Sequence, residues 1–198
     1  AQAYFDYDSK KAGGVTRSHL RFGASPIHSP YYIDKADFIS CSLESYCFKF
    51  DMVRNLKDGG TFLLNTTFPA DEIDKHLPPR MLAGLAKKHA KFYIIDATKL
   101  AIETHRGRHT NTILQSAFFA LSGVLPKEDA IGYMKDAATK SYGKKGEKIV
   151  AMNHAAIERG IAGFKKVEVP ADWKTAVDTA KEEAILEGND ALIDYAKK

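Results

Sequence analysis

Apolar and polar positions alternate through residues 3–7 and again through residues 15–22, and both runs predict β-strands. In the second run Thr16, Ser18, Leu20 and Phe22 fall on one face, and Val15, Arg17, His19 and Arg21 on the other. A loop punctuated by Pro26 and Pro30 follows. Residues 36–41 read as a buried strand and residues 43–56 as a helix closed by Asp58-Gly59-Gly60. Thr61-Phe62-Leu63-Leu64-Asn65 is a continuous apolar run, the pattern of a strand covered on both faces. Strand, helix and strand in that order predict a parallel βαβ unit with a right-handed crossover.

The pattern then predicts helices at residues 71–76 and 79–89, a strand at 91–96 and a helix at 99–105. A strongly apolar helix at 111–122 has Leu114, Ala117, Phe118 and Leu121 on one face. An amphipathic helix at 127–140 has Ala130, Ile131, Met134 and Ala137 as its buried stripe, and a further helix spans residues 147–163. Residues 165–170 are extended and end at Pro170. From Ala171 the chain is rich in Ala, Glu and Lys, with one tryptophan, Trp173. The expected architecture is α/β, an open and mostly parallel sheet flanked by helices over residues 1–170, with a C-terminal helix or linker at 171–198.

A chain of 198 residues can bury a core of its own. Its 44% hydrophobic and 27% charged residues are ordinary for a soluble globular protein, and no apolar run reaches the ~20 residues of a membrane span. The expected location is the cytoplasm. The formal charge of +4 suits an anionic ligand or an acidic carrier, and no arginine-rich helix or aromatic-basic motif argues for nucleic acid. Cys41 and Cys47 are the only cysteines. They are too few for a four-cysteine iron–sulfur cluster, and in this setting they are expected to be reduced.

Candidate chemistry centres on the turn between the first two strands. Gly13 and Gly14 allow positive φ and close approach of the backbone, so that N–H groups can converge on phosphate oxygens. Ser9 and Thr16 add hydroxyl donors, and Lys10 and Lys11 add charge. The same composition also fits a solvated hairpin loop. The basic face of Arg17, His19 and Arg21 suits an anion if it lines a cleft, and equally a wet sheet edge. Asn65 sits just past the end of a core strand, where open α/β sheets place ligands or cap the next segment. His105 and His109 are four apart, but Gly107 interrupts the helix that such a metal pair needs, and no metal site is expected. The turn at residues 142–148 is basic and Gly-rich, lacks the Walker A spacing, and fits a helix cap.

The run YDSKKAGGVTRSHLRFG, with GGTFLLN, QSAFFALSGVLP and YGKKGEKIVAMN following in order, closely resembles the gamma-type domain of pyruvate:ferredoxin (flavodoxin) oxidoreductases. The resemblance spans residues 1 to about 175. It implies a Rossmann-like fold, and a full enzyme that decarboxylates pyruvate oxidatively on thiamine diphosphate. Electrons pass through [4Fe-4S] clusters to ferredoxin or flavodoxin, and the acyl group goes to coenzyme A. It further implies that the clusters and thiamine diphosphate reside in other domains, and that this part has no catalytic residue and is inactive alone. By the same resemblance Ser9, Lys10, Lys11, Gly13, Gly14, Thr16 and Asn65 contribute to coenzyme A binding, and the remaining domains or subunits of a homodimeric enzyme are its partners. Family members carry a strand and a Gly-rich G-x-G-x-D-G-x-x-G loop before the equivalent of Gln2. The resemblance therefore implies a sheet that lacks its first strand and exposes an edge prone to association, in a fragment of a longer polypeptide or in a chain whose missing strand comes from elsewhere. A non-catalytic interaction module, and a related domain in another reductase such as a sulfite reductase flavoprotein, are the alternatives.

Overall fold

Alternation in the first two runs produces an antiparallel ladder, β1 (Gln2–Tyr7) with β2 (Thr16–Arg21), in register from Gln2 opposite Arg21 to Tyr7 opposite Thr16. The computed structural model describes residues 1–7, 15–107 and 109–176, and the contacts divide into two units, Ala1–Ala36 and the chain from Asp37 onward. No described residue of the first unit is buried.

The second unit is built on a four-stranded sheet in the order β3 (Ala36–Cys41), β4 (Leu56–Asn65), β5 (Lys91–Ile95), β6 (Lys165–Val167). Strands β4 and β5 are parallel, and β6 adds an antiparallel edge. Lys57 near the start of β4 pairs with Asp37 near the start of β3, and Asn65 at the end of β4 reaches Ser42 just past the end of β3, so these strands also run together. The expected mostly parallel α/β sheet is therefore observed.

The apolar run of β4 explains the layering. Successive side chains of a strand point to opposite faces, so Phe62 and Leu64 join Phe92 and Ile94 on one side while Leu63 joins Ile95 on the other. The first face is covered by α1 (Tyr46–Lys49), α2 (Ile73–His76) and α3 (Pro79–Lys87), through Cys47, Ile73, Met81, Leu82 and Leu85. The second is covered by α4 (Ala97–Glu103), α5 (Asn111–Ser122) and α7 (Glu147–Ala162), through Ala97, Ala101, Ile113, Ala117 and Ala156. Helix α6 (Lys127–Tyr142) packs outside α7. Beyond β6 a 3-10 helix at Ala171–Thr175 lies on α3, and Trp173 packs against the first core.

Two expectations fail. The helix expected over residues 43–56 is one turn, α1, and Asp58-Gly59-Gly60 lies inside β4 rather than ending a helix. The carbonyls that a longer helix would satisfy internally are taken by distant side chains. Arg80 donates to the Cys47 and Phe50 carbonyls, and the Lys88 ammonium to those of Arg54 and Leu56. Asp51 accepts from the Val53 and Arg54 amides and turns the chain. Gly59, at φ +71°, then donates its amide to Lys88 O at 2.7 Å, which carries the strand past the end of α3. In α6 the buried stripe runs through Ala130 and Ala138, whereas Ala137 is exposed.

Helices α5 and α7 approach closely at Gly160, where an added Cβ would stand 2.5 Å from Ile113 O and 2.8 Å from Ser116 Cβ. Backbone cannot move aside as a side-chain tip can. Gly160→Ala is expected to destabilise the chain by about 1–3 kcal/mol in urea unfolding, through overpacking; an unchanged midpoint would show that the helices separate without cost.

Candidate functional site

The Tyr7–Thr16 pair is the last rung of the β1–β2 ladder, and the candidate anion-site residues lie between its two members in sequence. Ser9, Lys10, Lys11, Gly13 and Gly14 lie outside the described residues. Thr16, the first residue of β2, is exposed beside the turn, and Val15 just before it is half-buried.

The face bearing Arg17, His19 and Arg21 is strapped by a segment of its own unit. The Ile33 amide donates to His19 Nδ1 at 3.1 Å, and the Tyr32 ring stacks on the imidazole at 4.7 Å. Arg21 donates to the Tyr31 carbonyl at 2.6 Å and lies over the Tyr31 ring. It also reaches Gln2 Oε1 at 3.4 Å. His19 and Arg21 are thereby occupied, so the strap takes the place that a cleft would have offered to an anion.

Because Nδ1 of His19 accepts, the neutral ring carries its proton on Nε2, and protonating Nδ1 breaks the bond to Ile33. Burial lowers the His19 pKa from 6.5; Asp6 opposes that shift, while Arg17 and Arg21 reinforce it. A base whose folded pKa is depressed takes up its proton more readily when released. The strap's contribution is therefore complete above about pH 6.5 and is lost as pH falls below it towards the folded value. The expected result is that His19 titrates below 6.5 by NMR, with amide protection at Ile33 falling over the same range; titration above 6.5 would contradict the assignment.

Asn65 occupies the carboxyl edge of the sheet in the second unit. Its Nδ2 donates to Ser42 O at 3.0 Å and its Oδ1 accepts from the Ala97 amide at 2.9 Å, tying the end of β3 to the start of α4. Next to it Thr66 donates its hydroxyl to Glu44 Oε2 at 2.6 Å and accepts from the Phe68 amide. Asp96 caps α4 by accepting from the Lys99 amide at 2.8 Å. The sequence reading singled out Asn65 at this edge but neither Glu44 nor Asp96, which lie beside it. The rule that ligands gather at the carboxyl ends of strands, applied to β3 and β5 as well as β4, points to both.

Cys41 and Cys47 are free, fully buried thiols, and the Cys41 Sγ–H donates to Leu43 O at 3.1 Å. Hydrogen bonding with Cys41, together with burial, pushes the Cys47 thiol up and keeps it protonated. His105 and His109 both lie beyond the end of α4, His105 at φ +57°, and the Arg106 guanidinium between them bonds Asn153 Oδ1 on α7. A shallow groove of about 300 Å³ between α6 and α7 is lined by Thr139, Glu147, Val150 and His154. Its imidazole is already engaged by the Thr139 hydroxyl and the Lys135 carbonyl.

Residues 1–163 match the family model described as pyruvate ferredoxin/flavodoxin oxidoreductase. The chain is 50% identical over 180 residues to a pyruvate:ferredoxin oxidoreductase of Moorella thermoacetica, covering 91% of this chain and 15% of that protein. It is 50% identical over 178 residues to a pyruvate-flavodoxin oxidoreductase of Enterobacter agglomerans, covering 90% of this chain and 15% of that protein. A pyruvate dehydrogenase [NADP(+)], mitochondrial, of Euglena gracilis is 41% identical over 181 residues, which are 90% of this chain and 10% of that one. The chain thus spans about 15% of the length of the first two relatives. Among solved structures, pyruvate oxidoreductase subunit PORC of Thermotoga maritima superposes with a TM-score of 0.62 at 18% identity, covering 84% of this chain and 81% of that one, which establishes the shared fold. With residues 1–163, most of its length, matched by the family model, this chain belongs to the pyruvate ferredoxin/flavodoxin oxidoreductase family.

Proposed function

We propose that the chain is the gamma-type domain of an oxidoreductase that decarboxylates pyruvate oxidatively and passes the electrons to ferredoxin or flavodoxin, and that it supplies part of the coenzyme A site. The reading is supported by the sequence of the eight residues that link the paired Tyr7 and Thr16, which contains two adjacent lysines and two adjacent glycines. Coenzyme A bears a diphosphate and a 3′-phosphate, so its recognition asks for clustered N–H donors and cations. Lys10 and Lys11 supply charge, Ser9 and Thr16 hydroxyl donors, and Gly13 and Gly14 backbone that can approach closely. When bound, coenzyme A supplies the thiol that takes up the acyl group. Asn65 acts within its own unit, holding Ser42 and the start of α4 in place.

The iron–sulfur clusters belong to other domains in this reading, since two buried cysteines make no four-thiolate set, and thiamine diphosphate is assigned to other domains by the family resemblance. The chain alone is accordingly expected to be inactive. A packing role without coenzyme A is the second reading, favoured by the internal use of the Asn65 amide. The two are separated by titrating the full-length enzyme with coenzyme A before and after changing Lys10 and Lys11 to alanine. Weakened binding supports the first reading and unchanged binding the second.

A further inference from the structure

Cys41 ends β3 and Cys47 lies in α1, and both side chains are fully buried. The short loop between them folds back on itself. The Tyr46 amide donates to Leu43 O and the Cys47 amide to Glu44 O, and the Cys41 Sγ–H shares the Leu43 carbonyl with the Tyr46 amide. The Cys41 sulfur therefore sits against the start of α1, and the two thiols hydrogen-bond to each other within one core. Neither the carboxyl-edge network nor the coenzyme A reading uses either sulfur. Two free thiols brought into contact by a closed loop meet the proximity requirement for a disulfide without rearrangement of the strand or the helix.

We propose that Cys41 and Cys47 form a redox-active dithiol, which hydrogen peroxide closes to a disulfide and a thiol reductant reopens. The two sulfurs are unlike. A hydrogen bond from Cys47 lowers the Cys41 pKa and outweighs burial, which raises it, whereas Cys47 is held protonated. Cys41 is thus the sulfur that supplies the thiolate. It attacks one peroxide oxygen and the O–O bond breaks. Cys41 becomes a sulfenic acid, and the hydroxide that leaves takes up the proton Cys41 gave up. The anion that held the proton on Cys47 is then gone. The Cys47 sulfur displaces hydroxide from the sulfenic sulfur, and its proton completes a second water as the disulfide forms. Two electrons leave the sulfur pair and reduce one peroxide to two waters. Burial selects this oxidant, because a small neutral molecule passes a single layer of loop, in which Ser42, Leu43 and Ser45 are exposed, whereas a bulky disulfide does not. Closure ties β3 to α1 across Ser42 and Glu44, the two residues of the loop that reach Asn65 and Thr66.

The full-length protein is treated with hydrogen peroxide in native buffer and in urea, quenched in acid, alkylated in denaturant and mapped without reduction by mass spectrometry. Both cysteines fall in one tryptic peptide, residues 36–49. The expected result is that in most native molecules this peptide loses two hydrogens and takes up no alkyl group, and that dithiothreitol added before alkylation restores both thiols. Cys47→Ser removes the resolving sulfur and is expected to leave Cys41 as a sulfinic acid; an unoxidised Cys41 in that variant overturns the order of attack. The map of the unmodified sequence needs no variant. Thiols that still alkylate after native treatment, a link that forms only in urea, or pairing of Cys41 with a cysteine elsewhere in the protein each overturn the proposal. The readout is the link itself, so it is independent of whether Lys10 and Lys11 bind coenzyme A.

Discussion

Changing both Lys10 and Lys11 to alanine in the full-length enzyme is expected to raise the KM for coenzyme A roughly 10- to 100-fold, equivalent to about 1.4–2.8 kcal/mol. That magnitude is what two phosphate-directed ammonium groups contribute when each nets about 1 kcal/mol against the water it gives up. The pyruvate-dependent reduction that precedes acyl transfer is expected to persist without coenzyme A, because the proposed role of Lys10 and Lys11 is confined to the incoming thiol carrier. Charge is the operative property, so the arginine pair K10R/K11R is expected to retain most of the affinity. The penalty of the alanine pair should shrink as salt screens the phosphates. A KM that does not move, at low and high salt alike, removes the lysines from the site.

Phe62→Ala is expected to cost about 3–5 kcal/mol of unfolding free energy, the range for emptying an aromatic site in a core that cannot fully collapse. Phe62 is completely buried, with its ring 6.0 Å from that of Phe92 on the neighbouring strand. Trp173 packs against the same core and is the sole tryptophan, so its fluorescence during urea unfolding reports the loss directly. Leu43→Ala, at a position 52% exposed, is the matched control and is expected to stay within about 0.5 kcal/mol of the parent. A Phe62→Ala cost below about 1 kcal/mol would mean that the first face of the sheet repacks freely, against the close packing usual in protein interiors.

The same contrast between local and distant causes decides what could be read from the sequence. The helix at 111–122 and the strand ending at Asn65 were legible because their apolar periodicity and their stop signals, Gly123 and the polar Asn65-Thr66-Thr67, are contiguous. Residues 43–56 have helical spacing too, yet Arg80 and Lys88, some 30 positions away, claim their carbonyls, and no window of sequence contains that competition. The stripe of α6 shifted from Ala137 to Ala138 because the helix packs against α7, whose angle of approach a single-helix pattern does not encode. At the candidate site, the glycines and lysines of the turn are visible as residue types, and Asn65 as a position. The strap across His19 and the bridge from Asn65 to Ser42 and Ala97 are visible only in three dimensions.

The lid that Trp173 forms over α3 sets a minimum length for any excised version of this domain. A polypeptide cut at Pro170 ends soon after β6 and uncovers the part of α3 and of the first core on which residues 171–175 lie. Protease trimming or gene dissection that retains residues 171–175 should give well-behaved material, whereas shorter pieces should clump through that uncovered helix.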